Sequence, residues 1–178
     1  EVKGSMPDPE QQLAIELGRI LQQRGVQIEQ GAVGYRRSGI KEKMTYDSYR
    51  LILEHKGPTV QEIATLTNMK SINLFAEGLV CLVGYVKGGK GTTEEGLKQI
   101  ENYFSKKMSF QGLFLKDGSG LSRSNGISAD HFTSLLYAMH RSSQAAKFKN
   151  TLPVAGKSGT LSSLCKGQAG EGRITAKS

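Results

Sequence analysis

The stretch that decides the fold is KSINLFAE, residues 70–77, in which one residue separates a serine from an asparagine. Upstream of it, Thr59 and Glu62 have the Thr-x-x-Glu spacing of a capping box, which predicts a helix that runs to about residue 68. Apolar residues then recur at helical spacing as far as Gly84, so a second helix should begin at the serine or the asparagine. Serine and asparagine are also common helix caps, so Ser-x-Asn alone predicts no chemistry.

Further helix signals lie on both sides of this stretch. Asp8 followed by Pro9 is typical of a helix start, and the apolar residues behind them predict a helix that ends at Gly25. Thr92 and Ser128 are suited to cap two later helices. Short strands are predicted at residues 26–33, 49–54, 113–115 and 173–176. Helices should therefore dominate the middle of the chain, with strands near its ends.

Length and composition exclude several classes of protein. The 178 residues, 37% of them hydrophobic and 22% charged, fit one globular domain or a large piece of one, and not a disordered or fibrous chain. No apolar run approaches the 18 or so residues of a membrane span. The chain begins with neither methionine nor a signal-peptide pattern, so we expect a mature exported form or an internal fragment.

The charge favours an anionic partner without choosing one. Twenty-four Lys and Arg against sixteen Asp and Glu give a net charge of +8, which suits nucleic acid, acidic lipid or a carboxylate-rich polymer. The two cysteines and the three histidines are too scattered to predict a metal site. The glycine-rich residues 88–91 lack the spacing of a phosphate-binding loop. No metal and no organic cofactor is predicted.

Two more motifs follow residues 70–77 along the chain. DGSGLSR, residues 117–123, predicts a tight turn with a basic residue at its end. Lys177 and Ser178 follow the predicted strand 173–176, where a Lys-Ser-Gly triplet would begin if glycine came next. Ser-x-x-Lys, Ser-x-Asn and Lys-Ser/Thr-Gly motifs together are typical of penicillin-interacting serine enzymes.

In this order, the motifs resemble the C-terminal half of a DD-carboxypeptidase/endopeptidase of the class C low-molecular-mass penicillin-binding proteins. Members commonly read KSDNLYAE where this chain has residues 70–77, and they share residues 117–123 nearly verbatim. They also resemble this chain at residues 152–161 and 172–178. The resemblance implies an α/β (α+β) fold like that of serine β-lactamases and DD-transpeptidases, a mainly antiparallel sheet with a helical subdomain. Residues 1–178 would form part of one such domain, incomplete at both ends.

The resemblance also implies catalytic roles for three residues. Ser71 would relay a proton between the surroundings of the nucleophile and the leaving amine, and Asn73 would hydrogen-bond the peptide carbonyl of the substrate. Lys177 would supply positive potential beside the site. These roles fit the chemistry, because a serine nucleophile needs a partner base and the tetrahedral intermediate needs fixed donors.

Four more residues are implied to bind substrate. The hydroxyl of Ser178 would bind the terminal carboxylate of a D-Ala-D-Ala stem peptide. Arg123, with Ser119 and Leu121, would lie near the side chain of the stem peptide, whose free carboxylate suits a guanidinium.

Two features of the sequence compete with this assignment. The nucleophile should lie in a Ser-x-x-Lys motif upstream of Ser71, but the spacings at 38–41 and 163–166 fit poorly, and we expect the true motif to be absent from these residues. In addition, residues 157–160 read Lys-Ser-Gly-Thr, a complete triplet, whereas Lys177 begins an incomplete one. We favour Lys177 because it follows a strand-like stretch and because the family's Ser-Gly-Thr-Leu loop precedes the true triplet by about this distance.

The resemblance therefore predicts part of an exported or periplasmic serine peptidase that cleaves D-Ala-D-Ala stem peptides through an acyl-enzyme. β-Lactams would acylate it, and it would have no nucleic-acid partner. The alternative is a non-catalytic basic module that binds a cell-wall polymer or nucleic acid, which the net charge of +8 keeps open.

Overall fold

The computed structural model describes residues 6–29, 31–34, 47, 50, 51 and 53–177. The chain divides into two compact units, Glu1–His55 and Lys56–Ser178, and each is described by itself. The three motifs at residues 70–77, 117–123 and 177–178 lie in the second unit.

The first unit contains helix α1, Pro9–Gln23. Its predicted start is confirmed, because a side-chain oxygen of Asp8 accepts the N–H of Gln11 at 3.0 Å. The side chain of Gln11 then holds the backbone of residues 32–34 against α1. It donates to Ala32 O at 2.9 Å and accepts from Gly34 N at 2.7 Å. The strand predicted at 26–33 is wrong in its described residues, which have no regular structure. The described residues of the strand predicted at 49–54 also have none.

The second unit is built from helices. Their bounds are α2 Val60–Lys70, α3 Asn73–Gly88, α4 Thr93–Phe104, α5 Ala129–His140 and α6 Ala145–Thr151, followed by a short 3₁₀ turn, Gly159–Leu161.

The helix starts predicted in the second unit are confirmed. Thr59 and Glu62 form the reciprocal capping box at the start of α2. Thr92 caps α4, and Ser128 caps α5. Helix α6 was not predicted, since it has only seven residues and no side-chain cap.

The mainly antiparallel sheet predicted from the sequence is not confirmed. In the described residues, pairing is limited to two isolated antiparallel bridges, Phe114 with Gly126 and Val154 with Thr175. Each falls in or opposite a predicted strand, at 113–115 and 173–176. A strand needs a hydrogen-bonded neighbouring strand over several residues. Each of these stretches pairs with its partner through a single bridge.

The second bridge nevertheless fixes the end of the chain. Ala155 N donates to Ile174 O at 2.9 Å, and Ala176 N donates to Pro153 O at 3.2 Å. Pro153 is fully buried and Ala155 has no exposed surface, so this contact lies in the small core of the unit. The pairing therefore anchors residues 174–176 in a fixed direction, and Lys177 comes directly after them.

The end of α2 packs against the same region. The side-chain amide of Asn68 donates to Thr151 Oγ1 at 2.7 Å, which joins α2 to α6. Gly159 lies against the last turn of α2, where a Cβ would come within 2.8 Å of Met69 O. Its φ of +59° also favours glycine. These contacts bring the C-terminus of α2 close to the strand-like residues that precede Lys177.

Candidate active site

The junction between α2 and α3 holds two of the predicted site residues. Ser71 caps the end of α2 in the left-handed conformation, with φ 52° and ψ 50°. Ile72 is extended, and Asn73 is the first residue of α3. A residue with a side chain reaches the left-handed region at a cost of about 1–2 kcal/mol, so packing must hold Ser71 there. This sharp turn brings the side chains of Ser71 and Asn73 to one cleft.

Lys177 reaches the same junction from the far end of the sequence. Its Nζ donates a hydrogen bond to Ser71 Oγ at 2.5 Å, between residues that are 106 positions apart. An ammonium group has no lone pair, so the hydroxyl oxygen is the acceptor and Ser71 keeps its own proton. The contact places a cation against a hydroxyl that can still donate.

These side chains line a cleft of about 390 Å³. Its wall includes Ser71, Asn73 and Lys177 together with Gly118 and Ser119. The rest of the wall comes from Thr67, Asn68, Ile72, Ala76, Gly120 and Phe132. The cleft therefore combines a cation, hydroxyls and amides, which are groups suited to binding and polarising a peptide carbonyl.

The loop that supplies Ser119 is held by Asp117. One carboxylate oxygen of Asp117 accepts Gly120 N at 2.8 Å and Asn125 Nδ2 at 2.8 Å. The other accepts Ser122 N at 2.7 Å and Ser119 Oγ at 3.3 Å. The bond from Asn125 is the main cause that lowers the pKa of Asp117 below its ordinary value, and the Ser122, Gly120 and Ser119 bonds add to it. Asp117 is therefore ionised at neutral pH and acts as the centre of the loop.

The structure does not bring every predicted site residue to the cleft. Leu121 is 70% exposed, Arg123 is exposed, and neither lines the cleft wall. Ser178 lies outside the described residues. The roles assigned to all seven residues stay predictions.

The competing features of the sequence are placed elsewhere. Lys157, of the complete triplet, forms a salt bridge with Glu171 at 2.8 Å and does not line the cleft. Hydrogen bonding to Lys157 is the main cause that lowers the pKa of Glu171 below its ordinary value. Ser163 and Lys166 do not line the cleft either, and residues 38–41 lie outside the described residues.

Sequence reasoning assigned no role to Glu77, the last residue of the 70–77 stretch. One of its carboxylate oxygens accepts both Gly118 N at 3.0 Å and Ser119 N at 2.9 Å. A glutamate on a helix surface is common, so the sequence carried no signal beyond its place in the motif.

In the described part of the chain, no group of three or more His, Cys, Asp or Glu residues could hold a metal ion. None of the helices described has the length and apolar character that a membrane crossing requires.

Comparison with known proteins gives a match over the whole chain. The D-Ala-D-Ala carboxypeptidase 3 (S13) family matches residues 1–178. The chain is 36% identical, over 133 residues, to a D-alanyl-D-alanine carboxypeptidase of Actinomadura sp. strain R39, covering 71% of this chain and 25% of that protein. It is 30% identical over 176 residues to the penicillin-sensitive carboxypeptidase A of Dictyostelium discoideum, covering 96% of this chain and 32% of that protein. The chain thus spans about a quarter to a third of these relatives.

Solved structures agree at the level of the fold. Penicillin binding protein 4 of Haemophilus influenzae aligns with 65% of this chain at 24% identity and a TM-score of 0.57. The same protein in complex with a β-lactam aligns over 65% of this chain, again at 24% identity, with a TM-score of 0.61 and 27% of its own length covered. Over the aligned part of the chain these proteins share its fold, although the sheet predicted from the sequence is not confirmed in the described residues.

Proposed function

Since this chain belongs to the D-Ala-D-Ala carboxypeptidase 3 (S13) family, we propose that the full-length protein is a serine-type D-Ala-D-Ala carboxypeptidase/endopeptidase of peptidoglycan stem peptides. Both curated relatives named above are carboxypeptidases. The single observation that carries the proposal is the hydrogen bond from Lys177 Nζ to Ser71 Oγ, beside Asn73 in one cleft. It joins two motifs that are far apart in the sequence.

The proposed reaction is acyl transfer to a serine. The serine hydroxyl gives its proton to a neighbouring base as its oxygen attacks the carbonyl carbon of the penultimate D-alanine, the C–N bond breaks, and the terminal D-alanine leaves as an amine after it takes up a proton. Water then attacks the ester carbonyl, and the serine regains its proton as the shortened peptide leaves. In the endopeptidase reaction, the amine of a crosslinked peptide replaces D-alanine as the leaving group.

In this reaction Ser71 is the proton relay. It accepts an N–H from Lys177 and keeps its own O–H, so it can pass that proton to the leaving nitrogen and take one from the ammonium group. The charge of Lys177 also favours the negative oxygen that develops on the attacked carbonyl. Asn73, at the start of α3, offers an amide that holds the carbonyl of the substrate backbone.

Substrate binding falls to the residues around this centre. Ser178 binds the terminal carboxylate of the peptide through its hydroxyl. Ser119 lines the cleft wall, and Leu121 and Arg123 follow it on the same loop. The exposed guanidinium of Arg123 suits the free carboxylate of the stem side chain.

The nucleophile of this scheme comes from a Ser-x-x-Lys segment that lies outside residues 1–178 in the full-length protein. Of the two Ser-x-x-Lys spacings in this chain, 38–41 lies outside the described residues, and neither Ser163 nor Lys166 lines the cleft. The protein works in the periplasm or is exported to the cell envelope, where its substrate is found. β-Lactams imitate the D-Ala-D-Ala end and acylate the same serine.

The proposal is tested by treating the full-length protein with a fluorescent penicillin. We expect covalent label on one serine, located by mass spectrometry in a Ser-x-x-Lys sequence, together with release of D-alanine from a stem peptide. Absence of label on every serine would contradict the proposal. Salt-sensitive binding to nucleic acid or a cell-wall polymer without any label would instead favour a non-catalytic basic module.

A further inference from the structure

Glu77 joins two segments that line the cleft, helix α3 and the loop at Gly118 and Ser119. Its carboxylate oxygen accepts the backbone N–H groups of Gly118 and Ser119, at 3.0 and 2.9 Å, which lie 41 and 42 residues later in the chain. Bonds from N–H groups to a carboxylate are among the stronger hydrogen bonds of proteins. The loop that carries Ser119 is therefore tied to helix α3, which carries Asn73 at its first residue.

The register of α3 directs Glu77 to the same side as Asn73. The two residues are four apart, which places them on one face of the helix and one turn from each other. Ala76 also lines the cleft. The carboxylate of Glu77 is thus within hydrogen-bond distance of the loop and belongs to a helix whose Asn73 and Ala76 line the cleft.

The backbone of the loop packs closely against α3 at Gly118. A Cβ on Gly118 would come within 2.6 Å of Val80 Cγ2 and 2.9 Å of Ala76 O, so only glycine allows the backbone to lie this close to the helix. This contact places the backbone N–H groups at 118 and 119 within hydrogen-bond distance of Glu77.

Asp117 makes the loop behave as one body. It binds Gly120, Ser122 and Asn125 from within the loop, and Asn125 Oδ1 accepts Lys116 N at 2.7 Å. These bonds fix the backbone of the loop relative to the side chain of Asp117. The attachment at Glu77 therefore sets the position of the whole 117–123 segment relative to α3.

We infer that Glu77 is a positioning residue that fixes the 117–123 loop against α3 and so determines which stem-peptide side chains the site accepts. This inference rests on the proposed function, because it assigns Ser119 and Arg123 to side-chain recognition. Glu77 touches neither the reacting atoms nor Lys177 through any of its observed contacts. Removal of the Glu77 carboxylate should therefore weaken binding of the stem-peptide side chain more than it slows acylation.

The test compares two peptides ending in D-Ala-D-Ala with the full-length protein. The preceding residue carries a side chain that ends in a carboxylate in one peptide and in a methyl group in the other. For Glu77→Ala we expect kcat/KM to fall about tenfold for the carboxylate peptide, mainly through KM, and less than about twofold for the methyl peptide. Glu77→Gln keeps an oxygen acceptor and should restore most of the selectivity.

Two further variants keep the result interpretable. Glu77→Asp retains the charge but is one methylene shorter, so it should lose selectivity even where Glu77→Ala fails to fold. Glu101 is exposed on α4 and does not line the cleft, so Glu101→Ala should leave kcat/KM unchanged for both peptides.

The outcomes separate the inference from the function on which it rests. If the wild-type protein cleaves both peptides and the Glu77 variants lose both equally or neither, the positioning role is overturned while the peptidase proposal stands. If the wild-type protein neither releases D-alanine nor takes up penicillin label, the proposed function fails and the inference fails with it.

Discussion

Two lysine–serine segments lie 20 residues apart in this chain, and their lysines have different hydrogen-bond partners in the structure. Lys157-Ser158-Gly159 is the complete triplet, whereas Lys177-Ser178 ends the sequence without its glycine. The amine of Lys157 pairs with the carboxylate of Glu171 at 2.8 Å. The amine of Lys177 donates to the neutral hydroxyl of Ser71 at 2.5 Å and lines the cleft.

The difference shows that lysines in two similar motifs have different partners in the folded chain. The carboxylate of Glu171 cancels most of the electrostatic field of the Lys157 ammonium group, whereas Lys177 is the lysine that lines the cleft. The other two residues of the complete triplet, Ser158 and Gly159, make structural contacts with neighbouring segments. Ser158 Oγ accepts Val154 N at 3.1 Å, and Gly159 packs against Met69 at the end of α2.

The comparison is tested most strongly by replacing each lysine in the full-length protein. Lys177→Ala should lower the rate of acylation by a penicillin about 10³-fold, because it removes the cation from the site. Lys157→Ala is the matched control and should stay within about twofold of wild type, since its partner is Glu171. The measurement is the second-order rate of labelling. A larger loss for Lys157→Ala would reverse the assignment of the two segments.

The two serines provide a second test. Ser71→Ala should lower the acylation rate about 10²-fold, because it removes the proposed proton relay. Ser158→Ala should leave that rate unchanged and lower the free energy of unfolding by about 1 kcal/mol, through loss of its bond to the Val154 amide. Labelling kinetics and urea unfolding of each variant check the pair. Equal acylation rates in the two variants would show that Ser71 has no role in the chemistry.

The glycine of the complete triplet provides a test of packing. Gly159→Ala should lower the free energy of unfolding by about 1–3 kcal/mol, because φ is +59° and the new Cβ would meet Met69 O at 2.8 Å. Gly167→Ala has a similar φ of +75° but no atom within 4 Å of its Cβ, so it should cost less. Urea unfolding measures both. If the two variants are equally stable, the contact with α2 does not explain the glycine at position 159.

The smallest effect concerns the salt bridge of Lys157. Pairing lowers the pKa of Glu171 below 4.5, so the bridge stabilises the protein above that pH and its contribution is lost as the pH falls through the lowered value. Glu171→Gln should therefore lower Tm at pH 7 by no more than about 2 °C, because the pair is partly exposed. The difference should vanish well below pH 4.5. A difference in Tm that grows toward acid pH would contradict this account.

Local signals predicted the helix starts well. Asp8, Thr59, Thr92 and Ser128 all cap the helices that the sequence assigned to them. A cap is formed by residues three apart in the chain, so its geometry is present in the sequence itself. The seven-residue helix α6 has no side-chain cap and went unpredicted. The predicted sheet was not confirmed, because strand pairing depends on distant segments and on how many residues they share.

The candidate site was predicted in part for the same reason. The motifs containing Ser71, Asn73, Ser119 and Lys177 could be selected from the sequence, and the structure places all four residues along one cleft. The attachment made by Glu77 could not be anticipated, because it requires the loop at Gly118 to lie against α3. The exposure of Leu121 and Arg123, away from the cleft wall, likewise follows from the fold of the loop.

The sequence by itself determined the capped helix starts, the excess of positive charge and the family to which the chain belongs, since each depends on residue types and short spacings. Only the tertiary structure decided which lysine lines the cleft and which one pairs with Glu171. The charge of a lysine is a property of the residue, but its partner is set by whichever distant segment the folded backbone brings within hydrogen-bond distance.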